Sequence, residues 1–150
     1  MKRIIPALVC GALAARGAAA QTPASSPILW DAAPATTGAQ LLQAGFARAG
    51  ADTAATYTRS ADGVQEQVYV RTRGGQNWNV AYSAVGDSAS LQAKLDAAAS
   101  DQVARAGAGT SNGSLRGWTM DGGKRLSIPT RPFRLPDGAT WQFMIVYSRP

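Results

Sequence analysis

The chain has 150 residues, 15 Lys and Arg against 9 acids, one cysteine and no histidine. Without histidine it has no Ser-His-Asp or Cys-His machinery, no imidazole acid-base chemistry and none of the usual zinc sites. Carboxylate chemistry and binding remain open to it.

In chain order, Lys2 and Arg3 form a positive start, Ile4 to Leu13 an apolar run, and Ala18-Ala19-Ala20 the small-x-small pattern that a signal peptidase reads. Residues 1–20 are therefore expected to be a cleavable bacterial signal peptide, cut before Gln21. The apolar run falls short of the roughly 18 residues that a spanning helix needs, and Arg16 interrupts any continuation of it. No membrane span is expected after cleavage. Cys10 would be acylated in a lipoprotein, but Ala7-Leu8-Val9 lacks the small residue such a cysteine follows, so it reads as an ordinary apolar position of the signal.

Removing residues 1–20 leaves 130, enough for one domain with a core. Lys2, Arg3 and Arg16 leave with the signal, which lowers the net charge from +6 to +3. The whole chain's pI of about 10.1 then no longer argues for a nucleic-acid partner, and none is expected. The cysteine leaves too, so the mature chain is disulfide-free and relies on packing.

Residues 21–37 hold Pro23, Pro27 and Pro34 among Ala, Ser and Thr, which predicts an extended leader, with Ile28-Leu29-Trp30 docking as an edge strand. The domain proper is placed at 38–150. Leu41, Leu42, Gly45, Phe46 and Ala49 share a helical face over 39–49, with Gly50 as a stop, although Gly45 costs about 1 kcal/mol inside a helix. A two-residue Asp62-Gly63 loop sets Ala61 opposite Val64, Arg59 opposite Glu66, Tyr57 opposite Val68 and Ala55 opposite Val70. That register gathers Tyr57, Val68 and Val70 on one face, and Thr56, Thr58, Gln65, Gln67 and Arg71 on the other. Gly74-Gly75 turns the chain into a third strand, where Trp78, Val80 and Tyr82 alternate with Asn77, Asn79 and Ala81.

Asp87 or Ser88 caps a helix running to Ala106, with Leu91, Leu95, Ala99, Val103 and Ala106 as its apolar stripe, an Asp101–Arg105 pair, and Gly107 as its stop. Gly107 to Ser114 reads as a flexible polar connector. A three-residue Asp121-Gly122-Gly123 loop then joins 115–120 to 124–128, placing Trp118 opposite Leu126 with Met120 and Ile128 on the same face. Pro129, Pro132 and Pro136 break the next stretch. Thr140 to Ser148 is apolar on both faces and reads as a central strand. The fold expected is α+β: a single small domain, an antiparallel sheet of about five or six strands, and one main helix (88–106) packed on one face.

Gly86-Asp87-Ser88 follows a strand and opens a helix, a context that resembles the nucleophile block of the GDSL/SGNH hydrolases. That family activates its serine with a histidine, which this chain lacks, and no Gly-x-Asn-Asp block is present, so Asp87 and Ser88 are read as helix-capping residues. Glu66 and the eight Asp residues could supply a glycosidase pair, yet Glu66 already faces Arg59 as an ion pair. The 107–114 loop has no P-loop lysine and follows a helix. Arg71, Arg73, Gly74 and Gly75 form a single RGG-like copy beside a turn.

Two binding surfaces remain. One is the basic segment Lys124, Arg125, Arg131 and Arg134, able to grip phosphate or carboxylate. The other is the tryptophans: Trp118 and Trp141 read as core and Trp30 and Trp78 as more accessible, and Trp78, Arg71 and Arg73 are taken with the basic segment as candidate binding residues. The expectation is an exported, non-enzymatic binding or accessory protein of the bacterial envelope, periplasmic or secreted, without cofactor or metal. Its partner would be a protein or an anionic or glycan envelope component. The rivals are a His-independent carboxylate hydrolase acting on envelope glycan and an inhibitor or immunity-type protein that plugs a partner enzyme.

Overall fold

The computed structural model describes residues 27–150; the signal-peptide assignment and the start of the leader lie outside them. Among the described residues nine strands form one antiparallel sheet, accompanied by three α-helices. The strands are β1 (Ala47–Ala51), β2 (Ala54–Ala61), β3 (Val64–Arg73), β4 (Gln76–Gly86), β5 (Thr110–Ser111), β6 (Leu115–Thr119), β7 (Arg125–Pro129), β8 (Phe133–Arg134) and β9 (Trp141–Ser148). Their order is β1-β2-β3-β4-β9-β7-β6-β5, with β8 paired to the other half of β9. The α+β class holds, while the strand count exceeds five or six. The excess comes from β1, where the sequence predicts a helix, and from the two-residue strands β5 and β8, too short to leave an alternation.

The Asp62-Gly63 hairpin has the register expected from its turn, with both loop residues at positive φ (53° and 75°) as a type I′ turn demands. Trp118 pairs with Leu126 across the second hairpin, and β9 lies between β4 and β7, in the sheet interior. The Asp121-Gly122-Gly123 loop turns through a left-handed kink, with Gly122 and Gly123 at φ +73° and +74°, and Met120 donates to the Lys124 carbonyl across it at 2.8 Å.

The proline-rich segment is not extended where it is described. Pro27–Asp31 is α1 and Pro34–Gln43 is α2, each with proline at its first position, where the missing N–H costs nothing and the fixed φ favours the helix. The expected 39–49 helix is thereby corrected: it starts earlier and stops at Gln43. Gly45, at φ +87°, donates to the Leu42 carbonyl while Phe46 donates to that of Leu41, the two bonds of a Schellman terminus. The glycine that counted against a helix is its terminator.

The longest helix, α3 (Ser88–Ala106), is capped by Asp87, which accepts from the Ser90 amide at 2.9 Å, and Gly107 follows its last turn at φ +78°. Its residues Leu91, Leu95 and Ala98 join one buried cluster with Val68, Val80, Phe143, Ile145 and Tyr147, and the helix lies against β4, β7 and β9. The central strand is covered less than its composition implied: Phe143, Ile145 and Tyr147 are buried, whereas Met144 on the opposite face is exposed. Among the described residues no helix is long and apolar enough to cross a membrane.

Candidate functional site

A β-bulge builds the first candidate site. In the β3–β4 ladder Arg71 pairs with Asn79 and Thr72 with Asn77, so Trp78 is an extra residue on β4. The strict alternation expected for Trp78, Val80 and Tyr82 is therefore broken. Asn77 turns into the core, fully buried, and Trp78 goes to the outer face of the sheet. There the guanidinium carbons of Arg71 and Arg73 lie 5.6 and 5.9 Å from the Trp78 ring centroid.

The adjacent groove, about 430 Å³, is lined by Arg73, Trp78, Lys124 and Arg149 among others. Lys124 and Arg149 are not free cations. Both donate to the Asp31 carboxylate at 2.9 Å, and Arg149 also donates from Nε to the Asn77 carbonyl. Tyr147 donates its hydroxyl to the same carboxylate at 2.7 Å. Partial burial by itself would raise the Asp31 pKa, but these hydrogen bonds and the two positive charges hold it below the usual carboxylate range. Arg125 sits on the outer face in line with Arg71, since Arg125 pairs with Ser148, Ser148 with Asn79, and Asn79 with Arg71. Three strand spacings put the two arginines about 14 Å apart.

The basic segment 124–134 is thus divided, not concentrated. Lys124 and Arg125 belong with Trp78, Arg71 and Arg73 at one end of β9. Arg131 and Arg134 belong to a groove at the other end, roughly 25 Å away by strand length. Between the two sets β7 runs as a strand, so residues adjacent in sequence are drawn to opposite ends of the sheet. The second groove, about 860 Å³, lies beside Trp141, which is half-buried at the margin of the core it packs against, with the Arg134 guanidinium 5.5 Å from its ring. Trp118 is buried as expected. Trp30, expected to be accessible, is fully buried, with its ring 6.2 Å from that of Tyr147.

Carboxylate catalysis finds little here. Glu66 is buried, and accepts from Arg59 at 2.8 and 2.6 Å, Tyr82 at 2.6 Å and Lys94 at 3.2 Å. Burial pushes its pKa up, but the Tyr82 and Arg59 hydrogen bonds and the Lys94 charge outweigh that and hold it below its ordinary value. A general acid needs the opposite shift. Among the described residues no cluster of three or more acids could hold a metal ion.

Asp31, Arg149 and Asn77 escaped sequence reasoning. Asp31 meets Lys124 from 93 positions away and Arg149 from 118, and no local pattern carries such separations. The bulge gave no signal either, because Asn-Trp-Asn-Val is compatible with unbroken alternation. No protein-family model matches this chain, no curated protein matches it, and no solved structure matches it.

Proposed function

We propose that this protein is an exported binding or accessory protein of the bacterial envelope, and that it takes an anionic envelope component on the outer sheet face around Trp78, Arg71 and Arg73. The observation that carries this reading is the bulge. It sets an indole beneath two guanidinium groups that make no ion pair among the described residues. A stacked guanidinium is held in place while its N–H edges stay available to a carboxylate or phosphate. Arg125, in line with them, extends the positive charge along the face and favours a ligand with repeated charges. The downward-shifted carboxyls of Glu66 and Asp31 weigh against the hydrolase alternative.

The test is a fluorescence and calorimetric titration of the chain starting at Gln21 with polygalacturonate and polyphosphate, using dextran as the uncharged control. Binding of a polyanion, lost in a W78A/R71Q/R73Q variant, is the expected result. Equal binding of dextran, or turnover of cell-wall glycan that disappears on an Asp or Glu substitution, would overturn it. Export is tested separately by sequencing the N-terminus of the protein from cells: a cytoplasmic chain starting at Met1 refutes it.

A further inference from the structure

The groove beside Trp141 has a different character from the Trp78 surface. Five large apolar side chains are exposed among the described residues, and three of them, Leu115 (41%), Phe133 (52%) and Met144 (45%), line this one groove. Pro129, Pro132 and Trp141 complete its apolar wall. Clustered apolar exposure marks a binding surface far better than scattered residues do.

The opening follows from the strand pairing. The β7–β9 ladder ends at Ser127–Val146, and β8 joins β9 only at Phe133–Gln142 and Arg134–Trp141. Between these ladders the chain passes Pro129 and Pro132, which have no N–H with which to continue a ladder. Met144 stands at the resulting gap, and its unbranched side chain adapts to irregular contacts.

Positive charge accompanies this apolar wall. Arg131 and Arg134 both line the groove and are exposed, and neither forms a salt bridge among the described residues. Arg134 rests on Trp141 and interacts electrostatically with Asp137, whose carboxylate is already engaged by the Thr140 hydroxyl and by the Thr140 and Ala139 amides. Ser88, at the start of α3, adds a hydroxyl to the lining, whereas the amide nitrogen of Gln92 already donates to Asp96 and to the Thr130 carbonyl. A volume of about 860 Å³ lies within the range of small-molecule sites.

We infer that this groove binds a single-chain anionic amphiphile, its aliphatic tail against Phe133, Leu115 and Met144 and its carboxylate or phosphate head on Arg131 and Arg134. Charge complementarity selects this occupant over a neutral apolar one. The inference does not depend on the Trp78 reading, because the two surfaces share no residue.

The test is calorimetry of the purified chain with dodecanoate and dodecyl phosphate, each below its aggregation concentration. Dodecyl maltoside supplies the same tail without a charge, and hexanoate the charge without the tail. One or both anionic dodecyl compounds should bind, the preference identifying the head group as carboxylate or phosphate. R131Q/R134Q should weaken that binding by about tenfold or more, as expected for the loss of charge-assisted hydrogen bonds. R48Q/R105Q, which removes equal charge elsewhere, should not. F133D and L115D, at exposed positions, should each abolish binding while thermal unfolding stays cooperative. Failure of both anionic dodecyl compounds to bind, equal binding of dodecyl maltoside or hexanoate, or full affinity in folded F133D and L115D would overturn the inference. So would affinity for apolar peptides in place of either amphiphile.

Discussion

Asn77 donates a 2.7 Å hydrogen bond to the hydroxyl of Thr37, forty positions earlier in the chain. The same amide nitrogen lies 3.0 Å from the Trp30 carbonyl and 3.1 Å from that of Ala32, and Thr37 in turn donates to the Leu29 carbonyl at 2.7 Å. One side chain, turned inward by the bulge, ties α1 and α2 to β4. N77A should cost about 3 kcal/mol, because it leaves buried acceptors without their donor. N77D should cost more, since its carboxylate would face two carbonyl oxygens. Urea unfolding measures both. Undocking of α1 would also expose Trp30 and move the intrinsic fluorescence to the red, whereas a purely global loss of stability would leave the native spectrum unchanged.

Glu66 makes stability pH-dependent in a definite direction. Its pKa in the folded protein lies below the ordinary 4.5, so its contribution is complete above that unfolded value and is lost as pH falls through the lower folded one. E66Q should destabilise the protein by about 3 kcal/mol at neutral pH, the low end for a broken buried pair because Arg59 and Lys94 reach solvent. The difference between wild type and E66Q should narrow below about pH 4.5. Denaturant midpoints across the acid range would show it, and a constant difference would contradict the assignment.

The elements legible in the sequence are those whose signals are local. Asp62-Gly63 specifies a turn whose geometry sets the register of every pair from Ala55–Val70 to Ala61–Val64, and alternation then sorts the two faces. Asp87 and Gly107 likewise bracket α3 by backbone chemistry alone. The end of α2 is ambiguous in the sequence because a helix-terminating glycine and an apolar stripe occupy the same residues, and only the Phe46 and Gly45 hydrogen bonds decide between them. Trp78, Arg71 and Arg73 could be grouped by proximity across a turn. The division of Lys124 and Arg125 from Arg131 and Arg134 could not, because it depends on where β7 joins the sheet.

Gly109 shows how far the glycine-rich 107–114 segment is from a free connector. Trp118 donates to the Gly107 carbonyl at 2.9 Å, and Thr110 and Ser111 pair with Gly117 and Arg116. A Cβ on Gly109 would lie 2.6 Å from Trp118 Cε2 and 2.8 Å from the Gly117 carbonyl oxygen, at φ +71°. G109A should therefore cost about 2–3 kcal/mol, combining overpacking with backbone strain. At Gly113, where φ is +92° but nothing lies within 4 Å, G113A should cost only about 1 kcal/mol. Parallel thermal unfolding of the two variants separates crowding from conformation; equal losses would mean that the loop does not hold against Trp118.

Asp31 allows stability and anion binding to be moved in opposite directions. It neutralises part of the charge of Lys124 and Arg149 beside Trp78, and accepts the Tyr147 hydroxyl, whose pKa is raised by burial and by that same carboxylate. D31N keeps the shape but removes the negative charge. With the carboxylate nearly half exposed, solvent screening limits the loss to about 1 kcal/mol of stability. The loss should fade in acid, because the folded pKa of Asp31 lies below its ordinary value and its contribution disappears as pH falls through it. Polyanion affinity, by contrast, should rise several-fold at low salt and converge with wild type at high salt, where charges farther apart than about 3–10 Å are screened. If D31N lowers affinity together with stability, the carboxylate is organising the surface, and the net positive charge at the Trp78 end is not what draws the ligand.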